Sequence, residues 1–374
     1  PLPSDSLGRL WEQKHGNKAG VPDYLDQVYE KAVRKVAGSA KPIAAVDGAQ
    51  VALCELFSGV RNDLCIAPEL ATSALETIYP RSRLIVLRYH QHTRSTQGAP
   101  EPDPLTTDVT RSRFNYYLVD QPHALLLNGR PVPGIVGPLF HTSLVYERLR
   151  KQAEKAMASK ATCRLKLTAV AEGGELKVTA EVSGLEELDQ RLRLRLVLAE
   201  ESISYIAFNG VRRHDMVVRF MIGGPDGFSP ADGKLAHAGT VDLFDMKQTL
   251  VSSLDQFERV QGMIFPVKPL DLKPLVLVGI VQHNDTHEIL QTAAVKVSGN
   301  LVYEKRAEKP ADKKKADVKK GDKKKGDKKK DDVKKGDKKK GDKKKDDKKK
   351  GDKKKGDKKK GDKKKSDKKK EGAG

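Results

Sequence analysis

Cysteine is scarce. The 374 residues hold three, Cys54, Cys65 and Cys163. Three thiols cannot staple a scaffold, and an odd number cannot all pair within the chain. No run of eighteen or more apolar residues occurs, which excludes a membrane-spanning helix. The sequence has no Gly-x-Ser-x-Gly, no phosphate-binding Gly-rich loop ending in Lys and no His-Glu-x-x-His. It therefore gives no support to the hydrolase, nucleotide or metalloprotease chemistries those spacings serve. Net charge is also missing from most of the chain. The total is +21, but from Lys309 to Gly374 there are 35 Lys against 15 Asp and Glu. Some +20 of the net charge thus sits in the last segment, and the body is an ordinary near-neutral chain. The sequence opens on Pro1 instead of Met. A removed signal peptide would make the protein exported or periplasmic; a trimmed piece explains the same start.

The most informative stretch runs from Val51 to Tyr79. Val51 to Phe57 is an almost continuous apolar run, as expected of a strand buried on both faces of a parallel sheet. A short polar turn with Gly59 follows. Ala67, Leu70, Ala71, Ala74, Leu75 and Ile78 then recur at helical spacing. Cys65 lies at the start of that helix, where a helix N-terminus ordinarily lowers a thiol pKa.

Phe57-Ser58-Gly59-Val60-Arg61-Asn62-Asp63-Leu64-Cys65 resembles the thioredoxin-superfamily pattern Phe-Thr-Gly-x-x-Cys-x-x-Cys. In that alignment Cys65 takes the second cysteine position and Asn62 the first, the nucleophile's. An amide cannot attack a disulfide, so the resemblance implies the element without its usual chemistry. Pro122, opening the stretch Pro122 to Gly129, is similar to the cis-proline that faces the cysteine pair in that superfamily, and Asn128-Gly129 reads as a hairpin turn. Pro68, three residues after Cys65, departs from the family and implies a late start or a kink in the helix.

Around this unit, residues 1–20 read as loop and Val21 to Gly38 as a helix with Pro22 in its first turn. Arg83 to His90 is a second strand, Thr93 to Thr106 a Pro/Gly/Thr-rich insertion, Asp108 to Tyr117 a short helix and Leu139 to Met157 a closing helix. The order over 41–159 is β-α-β-α-β-β-α, an α/β thioredoxin-like domain. From Cys163 to Val297 the apolar period changes to two: Leu165, Leu167 and Ala169; Leu176, Val178, Ala180 and Val182; Leu192, Leu194, Leu196 and Leu198. Met216 to Ile222, Thr240 to Phe244, Leu275 to Val281 and Ile289 to Val297 are further strands, with a helix over 245–257. Residues 160–299 thus read as an all-β, immunoglobulin-like sandwich. This succession resembles bacterial thioredoxin-like proteins of the outer-membrane-protein-related group, in which a strand like His214-Asp215-Met216-Val217-Val218-Arg219 precedes a loop like Gly223-Gly224-Pro225-Asp226-Gly227. Residues 1–40 form an N-terminal segment with one helix. Residues 300–374 are a tail of Gly-Asp-Lys-Lys-Lys repeats with almost nothing apolar to bury, and are expected to be disordered.

Three sets of residues bear on function. Cys65 is either a reactive monothiol or a shielded structural cysteine, and the second reading is the more ordinary one. His90 and His92 share one face at a strand end, and the proline loop would bring His123 near them; with a cysteine these make a Zn or Cu set, against the plainer reading of polar rim residues. The tail would attract polyanions of any kind, nucleic acid, anionic polysaccharide or lipid surface. From Lys309 onward it has no Phe, Tyr, Trp or Arg, so stacking and bidentate base reading are excluded. Asp226 and Asp232 do not match a calcium loop and read as turn residues. The expectation is a redox-inactive binding or scaffold protein, with no catalytic residue and no cofactor, holding an extended peptide at the corner of Asn62, Cys65 and Pro122. The alternatives are a weak monothiol oxidoreductase using Cys65 and a metal-binding protein using His90, His92 and His123.

Overall fold

The computed structural model describes residues 3–95, 97–119 and 123–305. Pro122 and the lysine repeat lie outside the described residues. The chain begins with α1 (Pro3–His15) and α2 (Val21–Ala37), so the first segment carries a helix where a loop was expected. There follow β1 (Ala52–Ser58), a 3-10 turn at Asp63–Cys65, α3 (Ile66–Glu76) and β2 (Leu84–His90). A small hairpin of β3 (Thr93–Arg94) and β4 (Pro100–Glu101) leads to α4 (Asp108–Tyr116), β5 (Ala124–Leu127), β6 (Arg130–Pro131) and α5 (Thr142–Met157). The order β-α-β-α-β-β-α is therefore present over this span. The second half contains β7 (Arg164–Glu172), β8 (Glu175–Ser183), β9 (Leu192–Ser204), β10 (Arg213–Ile222), β11 (Ala236–Asp242), α6 (Leu243–Gln261), β12 (Leu275–His283), β13 (Ile289–Lys296) and β14 (Ser298–Gly299).

Local chemistry explains several boundaries. Asn128 and Gly129 both have positive φ, 48° and 79°, the backbone of a tight hairpin turn whose twist matches its strands. Pro68 is the third residue of α3, where a missing N–H breaks no intrahelical bond, so the helix neither starts late nor needs a kink. Thr107 and Thr110 exchange side-chain-to-backbone hydrogen bonds at 3.3 and 3.0 Å and so cap α4.

The sheets depart from a simple two-domain picture. Eight strands form one sheet in the order β13-β12-β9-β10-β2-β1-β5-β6. β10, from the second half of the chain, lies parallel to β2, with Val217 opposite Arg88. The seam is thus a hydrogen-bonded strand pair, not a linker. A second sheet, β11-β8-β7-β14, covers part of the first. The C-terminal half is β-rich and two-layered as expected, but one of its layers continues the sheet of the first half.

The period-two pattern decides which face each residue serves. Ala52, Cys54 and Leu56 pack with Ala71, Leu75 and Leu149 under the helices. Leu53 and Phe57 turn the other way and join Ile85, Leu87, Val197, Val218 and Val278 in a core that spans both halves. Leu194, Leu196, Leu198 and Leu277 face the four-stranded sheet through Ala169, Leu176 and Val178.

Candidate functional site

The corner after β1 is built from backbone that approaches closely. A Cβ on Gly59 would stand 2.5 Å from Thr93 Cγ2 and 3.2 Å from the Gln91 carbonyl, so the turn tolerates no larger residue without movement. Asn62 caps the 3-10 turn: its Oδ1 accepts from Leu64 N–H at 2.9 Å. Its amide donates to the Arg94 carbonyl at 3.2 Å and to Glu101 Oε2 at 3.1 Å. Asn62 therefore fastens the turn to the β3–β4 hairpin. Cys65 has no exposed surface. Its Sγ accepts from Gly59 N–H at 3.3 Å. Burial pushes the Cys65 thiol up to about 12, against the smaller downward pull of Gly59 N–H and Ser58.

The corner is also covered. Between β9 and β10, Asn209 donates from its side chain to the carbonyls of Gly59, at 3.1 Å, and Asn62, at 3.2 Å. Its own N–H donates to the Val60 carbonyl at 3.0 Å. Arg61 lies over the Phe208 ring at 3.8 Å. These contacts engage the Gly59, Val60 and Asn62 carbonyls, whereas Pro122, the third residue of the expected peptide corner, lies outside the described residues.

Beneath that cover lies a buried polar cluster on α3, β2 and β10. Arg88 has no exposed surface and directs its guanidinium at α3. It donates to Glu69 Oε2 at 2.8 Å, Glu76 Oε2 at 2.9 Å, Thr72 at 3.2 Å, Ser73 at 3.0 Å and the Asp215 carbonyl at 2.8 Å. Burial pushes Glu69 upward, but Arg88 outweighs it and holds the carboxyl below its usual range. His90 Nδ1 sits 2.7 Å from Asp103 Oδ2. Asp103 is itself fixed by the N–H groups of Val60 at 3.1 Å and Leu105 at 2.7 Å. His214 Nε2 donates to the Tyr205 carbonyl at 3.1 Å. Burial first, and the His90 ring second, push His214 down to about 4. The two imidazoles stand edge to face, 5.1 Å between centroids.

Each of the three remaining groups keeps one bare atom. Glu69 Oε1, His90 Nε2 and His214 Nδ1 are buried and have no hydrogen-bond partner in the protein. Leaving such an atom bare costs about 1–3 kcal/mol. Among the described residues, these three side chains are the group whose ligating atoms gather, all within 4.8 Å of one another.

The expected histidine set is not the set that the fold gathers. His90 is buried, whereas His92 is exposed and accepts at Nδ1 from Asp103 N–H at 3.1 Å. His123 is half-buried, its pKa lowered by burial against an opposing pull from Glu101. His92 and His123 do not join His90 in a ligand group.

A second buried network ties the halves on the opposite face. Arg113 holds Glu55 through two bonds, 2.8 and 3.0 Å, with neither side chain exposed. Tyr117 donates to the same carboxylate and accepts from Gln282 at 2.9 Å. Arg195 stacks on Tyr116 at 4.5 Å and donates to Asn284 at 2.9 Å.

Beside the corner opens a groove of about 660 Å³. One wall is the proline-rich insertion, with Pro100, Pro102 and Pro104; the other is the C-terminal half of α6, with Gln256, Phe257 and Val260. Val260, Ile264 and Val267 are strongly exposed near its end, as are Ile206 and Phe208 on the covering hairpin. Tyr205 and Phe265 join the two regions, 6.2 Å between ring centroids.

No protein-family model matches this chain. No curated protein matches it. Among solved structures it is similar in part to HBP35 of Porphyromonas gingivalis, at 11% identity and a TM-score of 0.47, with 72% of this chain and 82% of that chain covered. It is also similar in part to a domain of the outer membrane lipoprotein Omp28 from Porphyromonas gingivalis, at 15% identity and a TM-score of 0.24, covering 37% and 90% respectively. Likenesses of this size lend the chain no activity, and its site is read from its own chemistry.

Proposed function

We propose that this protein is a redox-inactive, thioredoxin-like binding or scaffold protein. The observation that carries the reading is the state of Cys65: wholly buried, its thiol raised to about 12, and accompanied by a capping Asn62 instead of a second thiol. Thiol–disulfide exchange needs an accessible thiolate, so the monothiol alternative is not favoured. The Asn209 bonds across the corner favour its rim as the partner's seat, in the groove between the proline-rich insertion and α6. The lining is mixed, with Pro100, Pro102, Pro104, Phe257 and Val260 set among polar side chains such as Glu101, Asp108, Arg111 and Gln256, and it suits an extended peptide with apolar anchors. The lysine repeat would add generic attraction for polyanions, without sequence preference.

The test has two arms. In a dithiol-coupled insulin reduction assay the wild-type chain should show no turnover above buffer, and Cys65→Ala should change nothing. Selection from a displayed peptide library should enrich apolar extended peptides on wild type and lose at least about tenfold in enrichment on Val260→Glu, an exposed position. Turnover abolished by Cys65→Ser would overturn the redox-inactive reading. Equal enrichment on Val260→Glu would overturn the groove.

A further inference from the structure

Two lone pairs and a carboxylate oxygen face one another in the dry interior. A backbone carbonyl only accepts, so the bond to Tyr205 requires a proton on His214 Nε2 and leaves Nδ1 of the neutral ring with its lone pair. Asp103 already takes two N–H groups and draws the His90 proton to Nδ1, which leaves a lone pair on Nε2. Glu69 spends Oε2 on Arg88 and has the Ser58 hydroxyl beside its carboxyl, while Oε1 makes no hydrogen bond of normal geometry. Arg88 directs its bonds at Glu69 Oε2, Thr72, Ser73, Glu76 and the Asp215 carbonyl, and none reaches the three bare atoms. Arg88 pairs with Glu69 and Glu76, while Asp103 faces His90.

We propose that Glu69, His90 and His214 are the protein ligands of a divalent transition-metal ion, zinc being the ion this donor set fits first. Two imidazole nitrogens and one carboxylate oxygen are a normal zinc set. Each ligand has an outer partner that fixes its orientation: Asp103 behind His90, the Tyr205 carbonyl behind His214, and Arg88 behind Glu69. All three ligands are at most 2% exposed. Such a site is structural, and its ion is taken up as the chain folds. It would join α3 and β2 of the first half to β10 of the second.

The full chain decides the matter. Protein grown with added zinc and purified without chelator should hold about one equivalent of Zn²⁺ by elemental analysis. Unfolded, stripped and refolded with Zn²⁺, it should melt roughly 5 °C or more above the same chain refolded with chelator. Refolding with Co²⁺ should give visible absorption of a nitrogen–oxygen site without a thiolate charge-transfer band, since Cys65 is not a ligand. Glu69→Gln and His214→Gln should each lose the ion, while His92→Ala combined with His123→Ala keeps it. If those two ligand variants do not fold, the refolding and Co²⁺ measurements on wild type stand alone. Another divalent ion at one equivalent, lost in the same variants, would support the site. Wild type that binds no ion and refolds to the same melting temperature either way overturns it; the bare atoms then share protons. Ligand variants that retain the ion overturn it too.

Discussion

The side-chain amide of Asn209 donates to the main-chain carbonyl of Asn62 at 3.2 Å, across 147 positions of sequence. A turn from the second half of the chain thus closes the corner formed by the first. Asn209→Ala should loosen this closure, leaving the Gly59 carbonyl without its side-chain partner and the Asn62 carbonyl with Cys65 N–H alone, at a cost of about 1–3 kcal/mol. Alkylation of Cys65, followed by peptide mass spectrometry under native conditions, should speed up at least about tenfold in the variant. An unchanged rate would mean that Asn209 is not what shields the thiol.

Asn62→Cys tests the alignment of the corner with a redox pair. Two cysteines placed as in that motif should form a disulfide that dithiothreitol reduces. The variant should also lose about 1 kcal/mol of stability when reduced, because the cap on Leu64 N–H goes with the amide. Failure of the pair to oxidise in air or with diamide would show that position 62 is not the counterpart of the nucleophile.

The cysteines also predict a dependence on pH. Burial raises Cys54 and Cys65 to about 12 and Cys163 to about 11, from an ordinary value of 9.0. Above pH 9.0 the unfolded chain sheds thiol protons that the folded chain keeps, so the unfolded state gains. Stability from this source is whole below pH 9.0 and is lost as pH rises toward 12. Urea midpoints at about pH 8 and about pH 10 should differ more for wild type than for Cys54→Ala. Parallel slopes in the two proteins would remove the thiols as the cause.

Arg113 and Glu55 are a buried ion pair on which Tyr117 and Gln282 also depend. Arg113→Met leaves the buried Glu55 carboxylate with Tyr117 but without a cation and should cost about 3–5 kcal/mol. Adding Glu55→Gln should recover part of that loss, since the stranded charge is the larger penalty. Chemical denaturation of the two variants checks this; a double variant weaker than Arg113→Met would contradict the charge argument.

Truncation after Glu308 should remove affinity for heparin or duplex DNA that falls steeply with salt and ignores sequence, since the repeat carries most of the net charge and no stacking group. Binding by the full chain is expected to be micromolar or weaker, on the order of non-specific contacts. The melting temperature of the body should not change. Equal binding by the truncated chain would place the site in the folded body.

Much of the element order was legible because it rests on local pattern. The apolar run before Gly59, the Asn128-Gly129 turn and the alternating leucines at 192–198 each act within a few residues. What joins those elements was not legible. His90 and His214 meet because β10 lies parallel to β2, a pairing between residues far apart in sequence. A local signal existed all the same. Glu55 stands inside an apolar strand, Arg88 inside Leu84–Tyr89, and Glu69 among Ala67, Leu70 and Ala71. A charge in such a place must be paired or coordinated. His214, which completes the cluster, stands in a stretch whose local signal is a family resemblance alone.

The parallel pairing of β10 with β2 bears on how the chain is made. A ribosome releases Leu84–His90 well before residues 213–222 exist. Through that interval β2 has β1 on one side and nothing on the other. Its seven residues are all destined for burial. An unpaired apolar edge of this kind pairs readily with other chains. Nascent protein therefore spends the synthesis of more than a hundred residues in its most aggregation-prone form, and cutting the chain between α5 and β7 would make that form permanent.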